Sequence, residues 1–414
     1  MNKYNSLNYN NKENKNEILR LKKENEKIRT INLLIFFLFV STCLLPKTNK
    51  FKSISRSKEL IESKIFIKKC FKGELINHNI NISFANPKIS TIIPAYNCEK
   101  TIKATIRSIQ NQKMPEIEII IVNDNSNDNT YNIIQKLAEE DQRIKIINNK
   151  HNMATLYSRN IGILNSKGKY IMNLDNDDLF LNLDVFEKIY KEAENGDFDI
   201  IGFKAIDSQT YNPLFTQMNE DPLHNQKDGL IVHQPQLTYF CISSNNKIKT
   251  NDPHVWGRLT KAELYLKAIN NFGKNAIGEI RNLCFVTWAE DCAMSMAIFR
   301  YAKSYKFIQK YGIFHFLGKK TSSVNSKNEL RKYGELFFLD CIFDFTHNTF
   351  NGKKFSVKMA KNMIFAHIND LYSEKNKIYL KAILQKMLNC EYISFEDKNE
   401  INKILDILNG KIIL

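Results

Sequence analysis

The chain predicts an α/β domain, with a mostly parallel central sheet and helices on both faces. Three observations carry this. Short β-branched runs alternate with helix-like segments from residue 88 onward. Each apolar run stops in polar, Asn- and Asp-rich residues, so the strand ends converge on one edge of the sheet. The last run, Tyr170-Ile-Met-Asn-Leu-Asp175-Asn-Asp177-Asp178, ends in three acids within four positions.

The elements follow in order. Ile89-Ser-Thr-Ile-Ile-Pro94-Ala-Tyr96-Asn97 is a strand stopped by proline, and Thr101 to Gln112 reads as a helix. Ile117 to Val122 is a second buried strand, running into Asn123-Asp124-Asn125-Ser126-Asn127-Asp128-Asn129-Thr130. A helix through Leu137 and Ala138 follows, then a third strand, Ile144 to Ile147. The segment Asn152 to Gly162 leads into a helix ending near Lys167-Gly168, and the acidic strand comes next.

Carboxylates that close raise one another's pKa, and a divalent cation resolves the conflict. Hard oxygen ligands suit Mg²⁺ or Mn²⁺, which keep positions open for substrate phosphates. The rival reading is an acidic turn with Asp178 or Asn182 as N-cap of the next helix.

In this order and spacing the segments resemble glycosyltransferase family 2, which has the GT-A nucleotide-sugar transferase fold. The resemblance covers residues 88–318 and is densest from Ile89 to Leu179. It implies an inverting, metal-dependent transfer of a sugar from a nucleotide diphosphate, of UDP type, without a covalent enzyme intermediate. Pro94, Ala95, Tyr96 and Asn97 match the loop bordering the base, and Asp124 the carboxylate that takes a hydrogen bond from base or ribose. The family often has two acids there; here Asn123 takes the first place. Arg159 matches a cation near the acidic cluster. Asp175 and Asp177 match the metal-diphosphate motif, Asp177 as direct ligand, Asp175 near ribose and metal waters, with Asp178 a third acid. A structural ion pair or cap is the rival reading for Arg159 and Asp124.

The second half supplies an acceptor side. Cys284-Phe-Val-Thr-Trp288-Ala-Glu290-Asp291 opens an apolar helix. The helix dipole favours acids there as anions, suited to take a proton from an acceptor hydroxyl. The pair resembles the family's base motif, with Asp291 the base and Glu290 beside it. Asp252-Pro-His254-Val-Trp256-Gly-Arg258-Leu-Thr-Lys261 resembles the family's Trp-containing segment. Trp256, like Trp288, is an acceptor-side candidate; a core Trp anchoring a helix is its rival reading. Around Tyr311 to Ser323, His315 is a candidate metal ligand and Lys319 or Lys320 a diphosphate contact. A satisfied structural histidine is the alternative.

Of 414 residues, 43% are hydrophobic, enough for a full core. Residues 1–80 hold 17 Lys and Arg against 7 Asp and Glu, so +10 of the net +16 lies there. The remainder is nearly balanced, and this argues against nucleic acid. Residues 1–30 read as a basic, disordered tail. The apolar run 31–45 is a candidate transmembrane signal-anchor; its 15 residues make about 22 Å of helix against a roughly 30 Å hydrocarbon core. A cleaved signal peptide is the rival, but no small-x-small site follows. Flanking charge is tied at five Lys and Arg on each side, so orientation stays open. The resemblance points to a lumenal catalytic domain in endoplasmic reticulum or Golgi, and Asn81-Ile-Ser83 is the single glycosylation sequon.

Residues 46–87 read as a stalk with an amphipathic helix, Glu59 to Phe71. Residues 328–414 form a helical extension with apolar stripes at Leu336, Phe337, Leu339 and Ile342, at Met359, Met363 and Ile364, and at Ile401, Ile404, Leu405 and Leu408. They suit either covering the domain or self-association. Eight Cys in no regular spacing indicate neither zinc nor a disulfide framework.

The expected activity is sugar transfer to a glycan, lipid or protein hydroxyl. An inactive scaffold would not need Asp124, Asp175, Asp177 and Asp291 together. A sugar-nucleotide pyrophosphorylase would need a Gly-rich loop where Pro94-Ala-Tyr-Asn97 stands.

Overall fold

The computed structural model describes residues 50–75, 85–208, 219–220, 226–234, 254–275, 290–317, 334, 336–337, 339–341, 374–390 and 393–411. The run 31–45, the sequon, Trp288, Lys319, Lys320 and the Met359 stripe lie outside these residues. Among the described residues no helix is long and apolar enough to cross a membrane. The chain divides into two compact units, Met1–Ser63 and Lys64–Leu414.

The first half alternates as its periodicity predicts: β1 (Ile89–Ala95), α2 (Ile102–Gln110), β2 (Ile117–Asn123), α3 (Thr130–Glu140), β3 (Ile144–Asn148), α4 (Ala154–Leu164) and β4 (Tyr170–Asn173). An earlier helix, α1 (Lys50–Phe71), begins nine residues before the expected Glu59. Phe66, Ile67 and Cys70 near its end are buried, and Asn111 Nδ2 donates to the Glu74 carbonyl at 3.1 Å.

After β4 come β5 (Leu179–Phe180), α5 (Val185–Asn195), β6 (Ile200–Ser208), β7 (Asn219–Glu220), β8 (Ile231–His233) and β9 (Arg258–Lys261). Then follow α6 (Ala262–Asn275), α7 (Glu290–Tyr301), β10 (Ser304–Phe316), α8 (Glu374–Leu388) and α9 (Phe395–Leu408).

The sheet is mixed. Its order is β3-β2-β1-β4-β9-β6-β10-β5, with β7 on β6 and β8 on β10. The first four strands are parallel, but β9 runs antiparallel to both β4 and β6. A four-residue strand of sequence Arg-Leu-Thr-Lys carries no periodic signal, and its partners lie far away in the chain.

Side chains alternate across the sheet. Ile92, Ile120, Val122 and Ile171 enter one core with α4, α6 and α7. Ile93, Ile119, Ile121 and Met172 enter the other with α2, α3 and α5. Leu336, Phe337 and Leu339, with Leu380 and Ile383 of α8 and Ile401 and Ile404 of α9, belong to the first core. Those tail stripes therefore cover the domain.

Gly162 sets how closely α4 lies on the sheet. A Cβ there would stand 2.6 Å from Ile92 Cγ2 and 3.2 Å from Val122 Cγ2. Gly162→Val is expected to cost about 1–3 kcal/mol by overpacking. Urea unfolding measures it, and an unchanged midpoint would show that α4 can back away.

Candidate active site

The register aligns the polar strand ends. Ala95 pairs with Asn123, Asn123 with Asn148, and Ile92 with Asn173. The loops after β1, β2 and β4 therefore share one edge. Asn97 takes a positive φ of 47°, which asparagine tolerates, and its Oδ1 accepts from Asn127 N at 2.8 Å. Tyr96 is 42% exposed. Pro94's carbonyl accepts from Asn176 Nδ2 at 3.0 Å, tying the first loop to the acidic turn.

Asp124 is buried, and its Oδ1 accepts from Met153 N and Asn149 Nδ2, both at 2.7 Å. This oxygen organises the loop that leads into α4, which is the structural role the rival reading gave it. Asn123 is likewise engaged, with Asn148 Oδ1 at 3.0 Å and Ser126 N at 3.2 Å.

The acidic turn is no helix cap: α5 starts at Val185, with Asp184 in the N-cap position. Asp178 is buried instead. Its Oδ1 accepts from Phe316 N at 2.9 Å, while its Oδ2 has no hydrogen-bond partner among the described residues. Pairing of β5 with β10, Phe180 opposite Ile313, brings these groups together. Burial and then the charge of Asp175 push Asp177 up to about 6, with His315 pulling the other way.

His315 Nδ1 lies 2.9 Å from Asp207 Oδ1. Burial opposes its charge, yet Asp178, Asp207 and Asp175 raise it to about 9. The Asp207 contact supplies the partner that the structural reading of His315 requires. Trp256 is corrected. It is 1% exposed, stacked by His254 at 4.5 Å and met by His315 at 4.4 Å between ring centroids. It is a core residue bracing the site, with no free face for an acceptor sugar.

Arg159 joins the two halves. Its Nη2 donates to Asp175 Oδ1 at 2.6 Å and its Nη1 to Asp291 Oδ1 at 2.5 Å. The guanidinium side chain is 5% exposed, whereas Asp175 and Asp291 keep 33% and 21%. A buried planar fork thus presents two partly open carboxylates to the cleft. Against burial, which opposes its charge, Asp291 and Asp175 hold Arg159 firmly protonated.

Glu290 and Asp291 open α7 as expected. The pKa of each is raised rather than lowered, chiefly by burial. Burial, then the Asp291 charge, lifts Glu290 to about 8, so it carries a proton at neutral pH. Asp291 is raised by burial and by Asp175, and drawn back by Arg159 and Arg258.

A folded-state pKa above the unfolded value means that the folded protein binds the extra proton. The Glu290 contribution is therefore complete below about 4.5 and is lost as pH rises through about 8. Glu290→Gln is expected to flatten the decline in melting temperature between pH 5 and about 8. An unaltered slope would show that Glu290 titrates normally.

Sequence reasoning missed three groups. Arg258 lies within β9 and is fully buried. Asp207 partners His315 from the end of β6. The Tyr265 hydroxyl accepts from Asn173 Nδ2 at 2.6 Å, tying α6 to β4. Only a polar residue inside an apolar run hints at such roles, and it does not name the partner.

A parallel half-sheet, polar strand ends and an acidic turn facing a helix-borne acid pair define a GT-A-like α/β domain. Residues 90–262 match the family described as Glycosyl transferase family 2. It is 28% identical to the uncharacterized glycosyltransferase EpsJ of Bacillus subtilis, over 54% of this chain and 59% of that protein. It is 32% identical to the GalNAc(5)-diNAcBac-PP-undecaprenol beta-1,3-glucosyltransferase of Campylobacter jejuni, over 30% of this chain and 40% of that one. The chain thus spans less than two thirds of the length of these relatives. The crystal structure of S. aureus TarS in complex with UDP-GlcNAc shares the fold, with a TM-score of 0.52 at 15% identity, covering 78% of this chain and 88% of that one.

Proposed function

We propose that this chain is a metal-dependent inverting glycosyltransferase that moves a sugar from a nucleotide diphosphate to an acceptor hydroxyl, with Asp291 as general base. The observation that carries this reading is the Arg159 fork. It binds Asp175 on the donor side and Asp291 on the acceptor side within one rigid group. Inverting displacement needs a base facing the acceptor and a separately held donor, and the fork sets that spacing.

Among the described residues no cluster of three or more His, Cys, Asp or Glu has metal-ligating geometry. A cation that shares its shell with donor phosphates needs only one or two protein carboxylates. Asp175 and Asp177 fit that requirement: burial and then the charge of Asp175 raise Asp177, and among the described residues a buried oxygen of neighbouring Asp178 has no hydrogen-bond partner. A bound Mn²⁺ or Mg²⁺ would supply positive charge for the departing diphosphate. Tyr96 and the Asn97 turn border the base. Asp124 orders the loop beneath it, and Arg159 orients both carboxylates. Asp291 takes the acceptor proton as the new bond forms. Glu290, holding its proton at neutral pH, can donate a hydrogen bond to the acceptor.

The donor is of UDP type, supported by the UDP-GlcNAc held by TarS. The acceptor is a lipid-linked glycan, supported by the undecaprenol-linked acceptor in the name of the Campylobacter relative. Such an acceptor suits a chain anchored through residues 31–45, which carbonate extraction and N-terminal sequencing would test; a soluble product starting near residue 46 would show cleavage.

The functional test is a screen of purified protein against nucleotide sugars with and without Mn²⁺, reading hydrolysis and thermal shift. Turnover that requires the cation is expected. Neither shift nor turnover with any donor would overturn the reading.

A further inference from the structure

We propose that Arg258 is a positioning residue for the base, locking the face of α7 that carries Asp291 onto the central sheet. The inference rests on Asp291 being that base.

Arg258 opens β9, the strand inserted antiparallel between β4 and β6, with Gly202 as its partner across the pair. Its side chain is fully buried. Nη2 donates to Ser295 Oγ and to the His254 carbonyl. The guanidinium carbon lies 5.0 Å from the centre of the Phe299 ring. Asp291, Ser295 and Phe299 are spaced by four, so they lie on one face of α7. Arg258 thus touches two successive turns of the face whose first turn bears Asp291, and its charge favours the Asp291 carboxylate. Ser295 Oγ also donates to the His254 carbonyl at 3.3 Å, closing a triangle between β9, α7 and the segment before Trp256.

His254 stacks on Trp256, and Trp256 meets His315 beside the acidic turn. An apolar side chain would fill the Arg258 space without the desolvation that a buried guanidinium suffers. It could not hold Ser295 and His254 together while favouring a carboxylate one turn away. Arg159 acts on the carboxylate itself; Arg258 acts through the helix that carries it.

The test is a double-mutant cycle with Arg258→Met and Asp291→Asn. It reads turnover of UDP-GlcNAc with Mn²⁺, water serving as acceptor, alongside UDP affinity and melting temperature. Arg258→Met is expected to lower the turnover rate by about a hundred-fold, the scale of a misplaced catalytic group. UDP affinity should stay within about two-fold, because the donor side keeps its own contacts. In the Asp291→Asn background the same change should add less than about three-fold, since the group it positions is already gone. Arg258→Lys, with the charge but not the fork, should recover part of the rate.

Full turnover in Arg258→Met, or an equal loss in both backgrounds, overturns the inference while leaving the base assignment intact. Wild-type turnover in Asp291→Asn overturns the base assignment and this inference with it. If Arg258→Met does not fold, Ser295→Ala carries the test. About a ten-fold loss, absent in the Asp291→Asn background, supports the inference; an unchanged rate sinks it.

Discussion

Asp291→Asn is expected to slow sugar transfer by about a hundred- to ten-thousand-fold, the usual contribution of a positioned general base. An acceptor hydroxyl is protonated at neutral pH, and its proton must leave as it attacks the sugar carbon. Asp291 keeps 21% of its side chain exposed on the open side of the Arg159 fork, where an acceptor can reach it. Burial raises its pKa, which makes it a stronger base than a surface carboxylate. The amide cannot take the proton. Arg159 keeps Asp175 as its charged partner, so the variant should fold. Nucleotide affinity should change little, because Asp291 faces the acceptor. Single-turnover transfer beside UDP titration with Mn²⁺ separates the two effects. A variant that loses donor affinity but keeps its saturated rate would reverse the assignment.

Asp177→Asn is expected to abolish metal-dependent donor binding. It should also leave the metal-free protein at least as stable above pH 6. Burial and Asp175 raise Asp177 to about 6, so above that pH an ionised Asp177 opposes folding. Asparagine removes the penalty. The same carboxylate is what a divalent cation would use, and losing one of two protein ligands leaves a Mg²⁺ or Mn²⁺ site without its charge balance. Thermal unfolding with UDP, with and without Mn²⁺, reads both effects. The wild type should show a cation-dependent shift and the variant none. A normal shift and normal turnover in Asp177→Asn would remove Asp177 from the metal site.

The two predictions rest on residues of different legibility. Asp177 announces itself, because three acids after a buried strand conflict electrostatically in any fold that keeps the strand. Asp291 announces itself less, since an acid at a helix start is also ordinary dipole complement. What distinguishes it is the Arg159 contact across 132 residues of chain. Arg159 on its own, in a polar helix segment, reads equally well as a structural ion pair. Its double contact makes it the centre of the site.

Other residues changed meaning on folding. Trp256 read either as a stacking surface for sugar or as a core anchor, and the segment before β9 buries it against His254 and His315. His315 read either as a metal ligand or as a structural histidine, and the parallel pairing of β10 with β6 gives it a partner in Asp207. Glu290 read as an anion, because the helix dipole was the only field visible along the chain. In the fold, burial and the neighbouring Asp291 raise its pKa.

By itself the sequence determined the alternation of strands and helices from Ile89 to Asn173, the two-faced core and the polar edge where strands end. These are local or periodic properties: a run of β-branched residues, a period of two or 3.6, a proline or an Asp-Asn turn. Only the tertiary structure decided the antiparallel insertion of β9, the Arg159 fork, the burial of Arg258 and the raised pKa values of Glu290 and His315. Each depends on which distant segments meet and how much water leaves when they do. Pair distances and desolvation are properties of the packed chain, and no window of neighbouring residues contains them.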